Sequence, residues 1–72
     1  MNRYSMVIQW SDEDQLFLVT IPEFGDRVVM PCTHGKTRDE AIRNGEEVIE
    51  MYLEAWLAEG ESIPEPSTLQ IA

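Results

Sequence analysis

The stretch that most constrains this chain is Thr37 to Gly60, TRDEAIRNGEEVIEMYLEAWLAEG, the one segment long and periodic enough to form an extended helix. Thr37 with Glu40 three residues on has the spacing of a capping box, in which hydroxyl and carboxylate each satisfy an otherwise orphaned backbone N–H. Asp39 and Glu40 also suit the positive end of the helix dipole. At 100° per residue, Ala41, Ile42, Gly45, Val48, Ile49, Tyr52, Leu53, Ala55 and Trp56 share one sector roughly 160° wide. That sector is expected to face a core. Arg43, Glu46, Glu47, Glu50 and Glu54 take the remaining, solvent-facing arc, and Gly60 supplies the left-handed stop. Gly45 lies mid-face, where it costs roughly 1 kcal/mol of helix propensity relative to Ala, and a close helix–sheet approach is the expected compensation.

The segments before the helix read as strands. From Asn2 to Trp10, Tyr4, Met6, Ile8 and Trp10 alternate with Arg3, Ser5, Val7 and Gln9. Ser11 to Asp14 has the side chains of a turn, and Gln15 to Ile21 is its hairpin partner. That second strand is apolar on both sides, with Phe17, Val19 and Ile21 on one and Leu16 and Leu18 on the other. A single helix covers one face only. Val7, Leu16 and Leu18 are therefore expected on the uncovered face, where a second copy of the chain would supply cover as a homodimer or tetramer. Pro22 to Gly25 breaks the strand, Arg27 to Thr33 reads as a third strand interrupted by Pro31, and His34 to Lys36 as a loop. Past the helix, Ile63-Pro64-Glu65-Pro66 is stiff and extended, leading to an expected short strand over 67–71. The order is β-β-β-α-β, a small α+β fold with an antiparallel sheet and one long helix on one face, in a single domain over 1–72.

Seventy-two residues bury only about 60% of the unfolded chain's surface, so packing quality or a partner subunit must contribute to stability. One Cys and one His rule out an internal disulfide and the usual four-ligand zinc site. No targeting or membrane-spanning pattern is legible, which makes a cytoplasmic location the expectation. Fourteen acidic residues against five basic ones, a formal charge of −9, argue against direct nucleic-acid binding and favour a basic partner.

The candidate chemistry is thin. Cys32 and His34 form a nucleophile–base pair only if the backbone folds them together, and a buried strand cysteine beside a loop histidine is the better reading. Asp12, Glu13 and Asp14 lack the spacing and glycine of a calcium loop and read as turn residues. Glu46, Glu47, Glu50 and Glu54 lack the Glu-x-x-His pairs of a di-metal site. Tyr52 and Trp56 read as core, not as a base-stacking platform. The chain is expected to be no enzyme and to need no cofactor or metal.

Taken together, Tyr4, Ile8 to Asp14, Phe17, Ile21-Pro22-Glu23-Phe24-Gly25, His34-Gly35-Lys36-Thr37, Glu40-Ala41, Asn44-Gly45 and Gly60 to Pro66 carry a resemblance that spans nearly the whole chain. In order and spacing it resembles the HicB-type antitoxin family, in a short form. The segment between Gly25 and His34 is somewhat longer than in that family. The resemblance implies a reduced ribonuclease H-like fold without catalytic carboxylates. It further implies a partner, a small basic HicA-type toxin that cleaves messenger RNA, covered and neutralised by protein–protein contact. Longer members add a C-terminal DNA-binding domain; none is legible before Ala72, so direct operator binding is not expected. The candidate partner-binding residues are Glu46, Glu47, Glu50 and Glu54, with Asp12, Glu13 and Asp14 as a second group. The alternative is an orphan module of the same fold that binds another protein or a ligand and has no toxin.

Overall fold

In the computed structural model, which describes residues 2–70, β1 (Val7–Ser11) and β2 (Leu16–Thr20) form an antiparallel hairpin. Ile8 lies opposite Val19 and Trp10 opposite Phe17. The turn is built as the sequence predicts. The Ser11 hydroxyl accepts from the Asp14 N–H at 3.1 Å and Gln15 donates its N–H to the Ser11 carbonyl at 2.8 Å. Gln15 takes the left-handed backbone conformation, φ 55°, that closes the turn. β3 (Thr33–Gly35) pairs with the other side of β2, giving the sheet order β1-β2-β3, and α1 (Arg38–Ala58) crosses one face.

Two expected strands are not formed as expected. The stretch from Arg27 was expected to pair, but the N–H groups of Arg27 and Val28 both donate to the Phe24 carbonyl, at 3.0 and 2.9 Å, extending the 3-10 turn at Pro22–Phe24. Pro31 has no N–H to offer a ladder. Pairing begins only at Cys32, whose N–H donates to the Val19 carbonyl at 3.0 Å, and the strand then runs through Thr33–Gly35, so that His34 and Gly35, expected in a loop, are paired. The alternation itself was informative, since Val28, Met30 and Cys32 pack against the core while Val29 is 87% exposed. The final strand expected over 67–71 has no counterpart over 67–70, and Ile71 lies outside the described residues. The Ser67 N–H is taken by a side chain, the Glu23 carboxylate, and Leu69 is fully exposed.

The helix begins at its expected cap. The Glu40 N–H donates to Thr37 Oγ1 at 3.1 Å. The other half of the box is displaced by one residue, because the Glu40 carboxylate accepts from the Lys36 N–H at 3.0 Å instead of from Thr37. At the far end the Gly60 N–H donates to the Leu57 carbonyl and that of Glu61 to the Trp56 carbonyl, a Schellman motif with Gly60 at φ +72°. The inward face is narrower than the sequence sector. Ala41, Gly45, Ile49 and Trp56 are buried and Val48, Tyr52 and Leu53 half-buried, whereas Ile42 and Ala55, at its margins, are exposed.

Close approach of helix and sheet rests on two glycines. A Cβ on Gly45 would meet Met6 Sδ at 2.8 Å and Val19 Cγ1 at 3.2 Å, the compensation its position in the helix implied. A Cβ on Gly35 would run into backbone, at 2.8 Å from both Ala41 Cα and Glu40 C. Below this contact lies the core, centred on Phe24. Its ring meets Tyr4 at 5.0 Å, Trp56 at 4.9 Å and Tyr52 at 6.3 Å between centroids, all edge-on. Phe24, Ile21, Ile49 and Val19 are fully buried, each worth about 1.5–3 kcal/mol relative to exposure, in a chain whose net stability is of order 4–10 kcal/mol.

Candidate functional site

The outer arc of α1 is where the candidate glutamates lie. Glu46, Glu47, Glu50 and Glu54 are all exposed, spread over about 12 Å of helix. Among the described residues, Glu46 alone of the four has its side chain held, accepting from Asn2 Nδ2 at 2.7 Å. Met51 and Leu57, 54% and 62% exposed, lie among them, so the arc is acidic with apolar islands.

The second acidic group occupies the hairpin turn and is mostly occupied by it. Asp12 accepts from Trp10 Nε1 at 2.9 Å, and the Asp14 carboxylate accepts from the Ser11 hydroxyl at 3.1 Å. Glu13 is exposed at the tip. The turn adjoins the start of the helix, where the Arg38 guanidinium sits 4.9 Å from the Phe17 ring centroid.

Cys32 and His34 do not form a dyad. The Cys32 thiol donates to the Val19 carbonyl at 3.6 Å, and burial pushes its pKa up, the opposite of an activated nucleophile. His34 is exposed and lies opposite Leu18. Its carbonyl accepts from Asn44 Nδ2 at 2.7 Å, a contact that ties β3 to the helix. Among the described residues no three His, Cys, Asp or Glu side chains converge as metal ligands.

The face of the sheet away from α1 carries Val7, Leu16 and Leu18, as their alternation predicts. Val7 lies opposite Thr20, Leu16 opposite Ser11, and Leu18 between Gln9 and His34. A shallow groove of about 310 Å³ runs along it, lined by Gln9, Trp10, Ser11, Leu18, Thr20 and Pro31.

One constellation was not legible beforehand. Residues 61–70, without regular secondary structure, are strapped to the body by three side chains from distant parts of the chain. Arg27 Nη1 donates to the Ser62 carbonyl at 2.7 Å while its guanidinium stacks 4.8 Å from the Trp56 ring centroid. The Tyr4 hydroxyl donates to the Pro64 carbonyl. The Glu23 carboxylate accepts from the Ser67 N–H at 2.9 Å, and from the N–H and hydroxyl of Ser5. Burial alone would raise the Glu23 pKa, but the hydrogen bonds from Ser67, from its own N–H and from Ser5 outweigh it and hold the carboxyl below its usual range. Tyr4 is shifted up, by burial first and then by the negative charge of Glu23, with Arg27 opposing. The signal for Glu23 in the sequence is slight. It is a carboxylate wedged between a turn proline and a core phenylalanine.

A three-stranded antiparallel sheet with one covering helix, whose outer arc is acidic, defines a small α+β domain. Residues 4–72 match the family model described as HicB-like antitoxin of bacterial toxin–antitoxin systems, and the chain belongs to that family. No curated protein and no solved structure is matched. No helix among the described residues is long and apolar enough to cross a membrane.

Proposed function

We propose that this chain is a cytoplasmic antitoxin that binds a small basic HicA-type toxin and blocks its cleavage of messenger RNA by protein–protein contact, with no chemistry of its own. The observation that carries the reading is the family match over residues 4–72 of a chain whose charge is −9 and whose glutamates face outward on α1. An RNA-cleaving toxin must present cations to the phosphate backbone. An acidic surface competes for those cations and speeds encounter, while apolar groups such as Met51 and Leu57 slow dissociation. The glutamate arc is the first candidate surface. The hairpin turn, with Asp12 and Asp14 already hydrogen-bonded, is the second.

Direct nucleic-acid binding fits poorly. Five basic side chains against 14 acidic ones, with a net charge of −9, are a poor match for a phosphate backbone. The reading is tested by calorimetric titration of the protein with a purified basic HicA-type toxin. Saturable binding that weakens with salt and with the combined reversals Glu47→Lys, Glu50→Lys and Glu54→Lys is expected. Absence of binding by the parent protein would overturn it.

A further inference from the structure

We propose that Tyr4, Glu23 and Arg27 form a binding site for an extended, proline-containing segment of a partner protein, and that residues 62–67 occupy it as a tethered stand-in. Residues 61–70 have no regular secondary structure, and of 61–67 only Pro64 is even half-buried, so little apolar burial holds them down. What holds them is three side chains that all engage backbone. Arg27 Nη1 donates to the Ser62 carbonyl at 2.7 Å, the Tyr4 hydroxyl donates to the Pro64 carbonyl, and the Glu23 carboxylate accepts from the Ser67 N–H at 2.9 Å. Such contacts make no demand on the occupant's side chains. Two donors at one end and an acceptor at the other do fix the direction in which it runs. Prolines suit the middle of the segment, because Pro64 and Pro66 hold Ile63 and Glu65 extended before docking and bring no N–H that would need a partner. Aromatic-lined grooves that take proline-rich ligands work by the same pre-set backbone.

The site is built independently of its occupant. The Tyr4 ring is set edge-on to Phe24, at 5.0 Å between centroids, and the Arg27 guanidinium stacks on Trp56. The Glu23 carboxylate accepts from the N–H and hydroxyl of Ser5 at 3.0 and 3.1 Å. Each group keeps this second anchor when residues 62–67 lift away, so the cradle stays pre-organised for another segment. Charge and concentration select which segment. A second copy of this chain offers the same ligand at far lower local concentration than the tether does, and brings its own net charge of −9, so exchange between copies gains nothing. A different protein, docked elsewhere on this surface, delivers its segment at a concentration comparable with the tether's and displaces residues 62–67.

The test is heteronuclear NMR of the isotope-labelled chain titrated with an unlabelled synthetic peptide of residues 61–70, blocked at both ends. The Ser67 amide reports departure of the chain's own strap, while the Ser5 amide and Trp56 indole, which mark an occupied cradle, should keep their shifts. The tether sets an effective concentration of order millimolar, so half-displacement in the parent is expected at about that peptide concentration. Combining Pro64→Gly and Pro66→Gly in the chain loosens the tethered occupant and should lower the midpoint about fivefold or more. The peptide with glycine in place of both prolines should need about fivefold more to displace the strap of the parent. If the doubly substituted chain is not folded by circular dichroism, the two titrations of the parent decide. A Ser67 amide that does not move in the parent up to about tenfold above the effective concentration, or a glycine peptide as effective as the proline one, overturns the proposal. Either result leaves the toxin-binding reading untouched.

Discussion

Gly35→Ala is the substitution that most sharply probes how the helix sits on the sheet. A methyl group at position 35 would lie 2.8 Å from Ala41 Cα and from Glu40 C, closer than side-chain carbons approach in folded proteins. These are backbone atoms in the first turn of α1, held by the Thr37 cap and by the bond from Asn44 to the His34 carbonyl, so they cannot step aside as a side-chain tip can. Relief requires moving the helix start off β3. Overpacking of this kind costs about 3 kcal/mol, the upper end of the usual range because no rotamer change relieves it. For a chain this short that lowers the melting temperature by roughly 12 to 24 °C. Thermal unfolding followed at 222 nm, at one fixed protein concentration, measures it. Gly45→Ala is the internal control. There the 2.8 Å contact is with the flexible Met6 thioether, and about 1 kcal/mol of regained helix propensity offsets the crowding, so its melting temperature should stay near the parent's. If Gly35→Ala melts within a few degrees of the parent, the helix–β3 contact is not as tight as described.

Three further outcomes are expected. Gly45→Leu, whose extra atoms must displace buried Val19 as well as Met6, should cost about 1–2 kcal/mol net in urea unfolding, and an unchanged midpoint would show that the face is loose there. Thr37→Ala should cost about 1 kcal/mol through loss of the bond to the Glu40 N–H, read as a lower melting temperature and faster amide exchange in the first helical turn. Glu23 gives a pH signature. Its folded-state pKa is depressed, so its stabilisation is complete above the unfolded value of about 4.3 and is lost as pH falls through the lower folded value. Glu23→Gln should therefore be less stable than the parent at neutral pH, with the gap closing in acid; a gap independent of pH would contradict the hydrogen-bond scheme around Ser5 and Ser67.

What the sequence disclosed and what it withheld divide along physical lines. Local, short-range chemistry was readable: the Thr37 cap, the Gly60 stop, the Ser11 to Asp14 turn, and the alternation that places Phe17 and Val19 toward the helix and Leu16 and Leu18 away from it. The inward placement of half-buried Tyr52 and buried Trp56 followed from helical periodicity alone. Competition between equally local partners was not readable. Val28, Met30 and Cys32 alternate like a strand, yet the Phe24 carbonyl captures the N–H groups of Arg27 and Val28 first, and the pairing shifts to Thr33–Gly35. Long-range side-chain reach was equally hidden. The segment after Gly60 alternates enough to suggest a strand, but Tyr4, Glu23 and Arg27 hold its backbone as a strap. Gly35 read as a loop glycine because its constraint comes from a helix turn it meets only in the folded chain. For the candidate site, the exposed arc of Glu46, Glu47, Glu50 and Glu54 follows from periodicity and the turn role of Asp12 and Asp14 from their side chains, while the bond from Trp10 Nε1 to Asp12 was not legible.

The central claim is inhibition by contact, and the most direct measurement is the rate at which a purified basic HicA-type toxin cleaves a labelled messenger RNA as this protein is added. The account predicts that cleavage falls linearly to near zero as the antitoxin reaches equivalence with the toxin. It also predicts that the combined Glu47→Lys, Glu50→Lys and Glu54→Lys variant, folded by circular dichroism, needs a large excess to do the same. Undiminished cleavage in the presence of excess parent protein would contradict it.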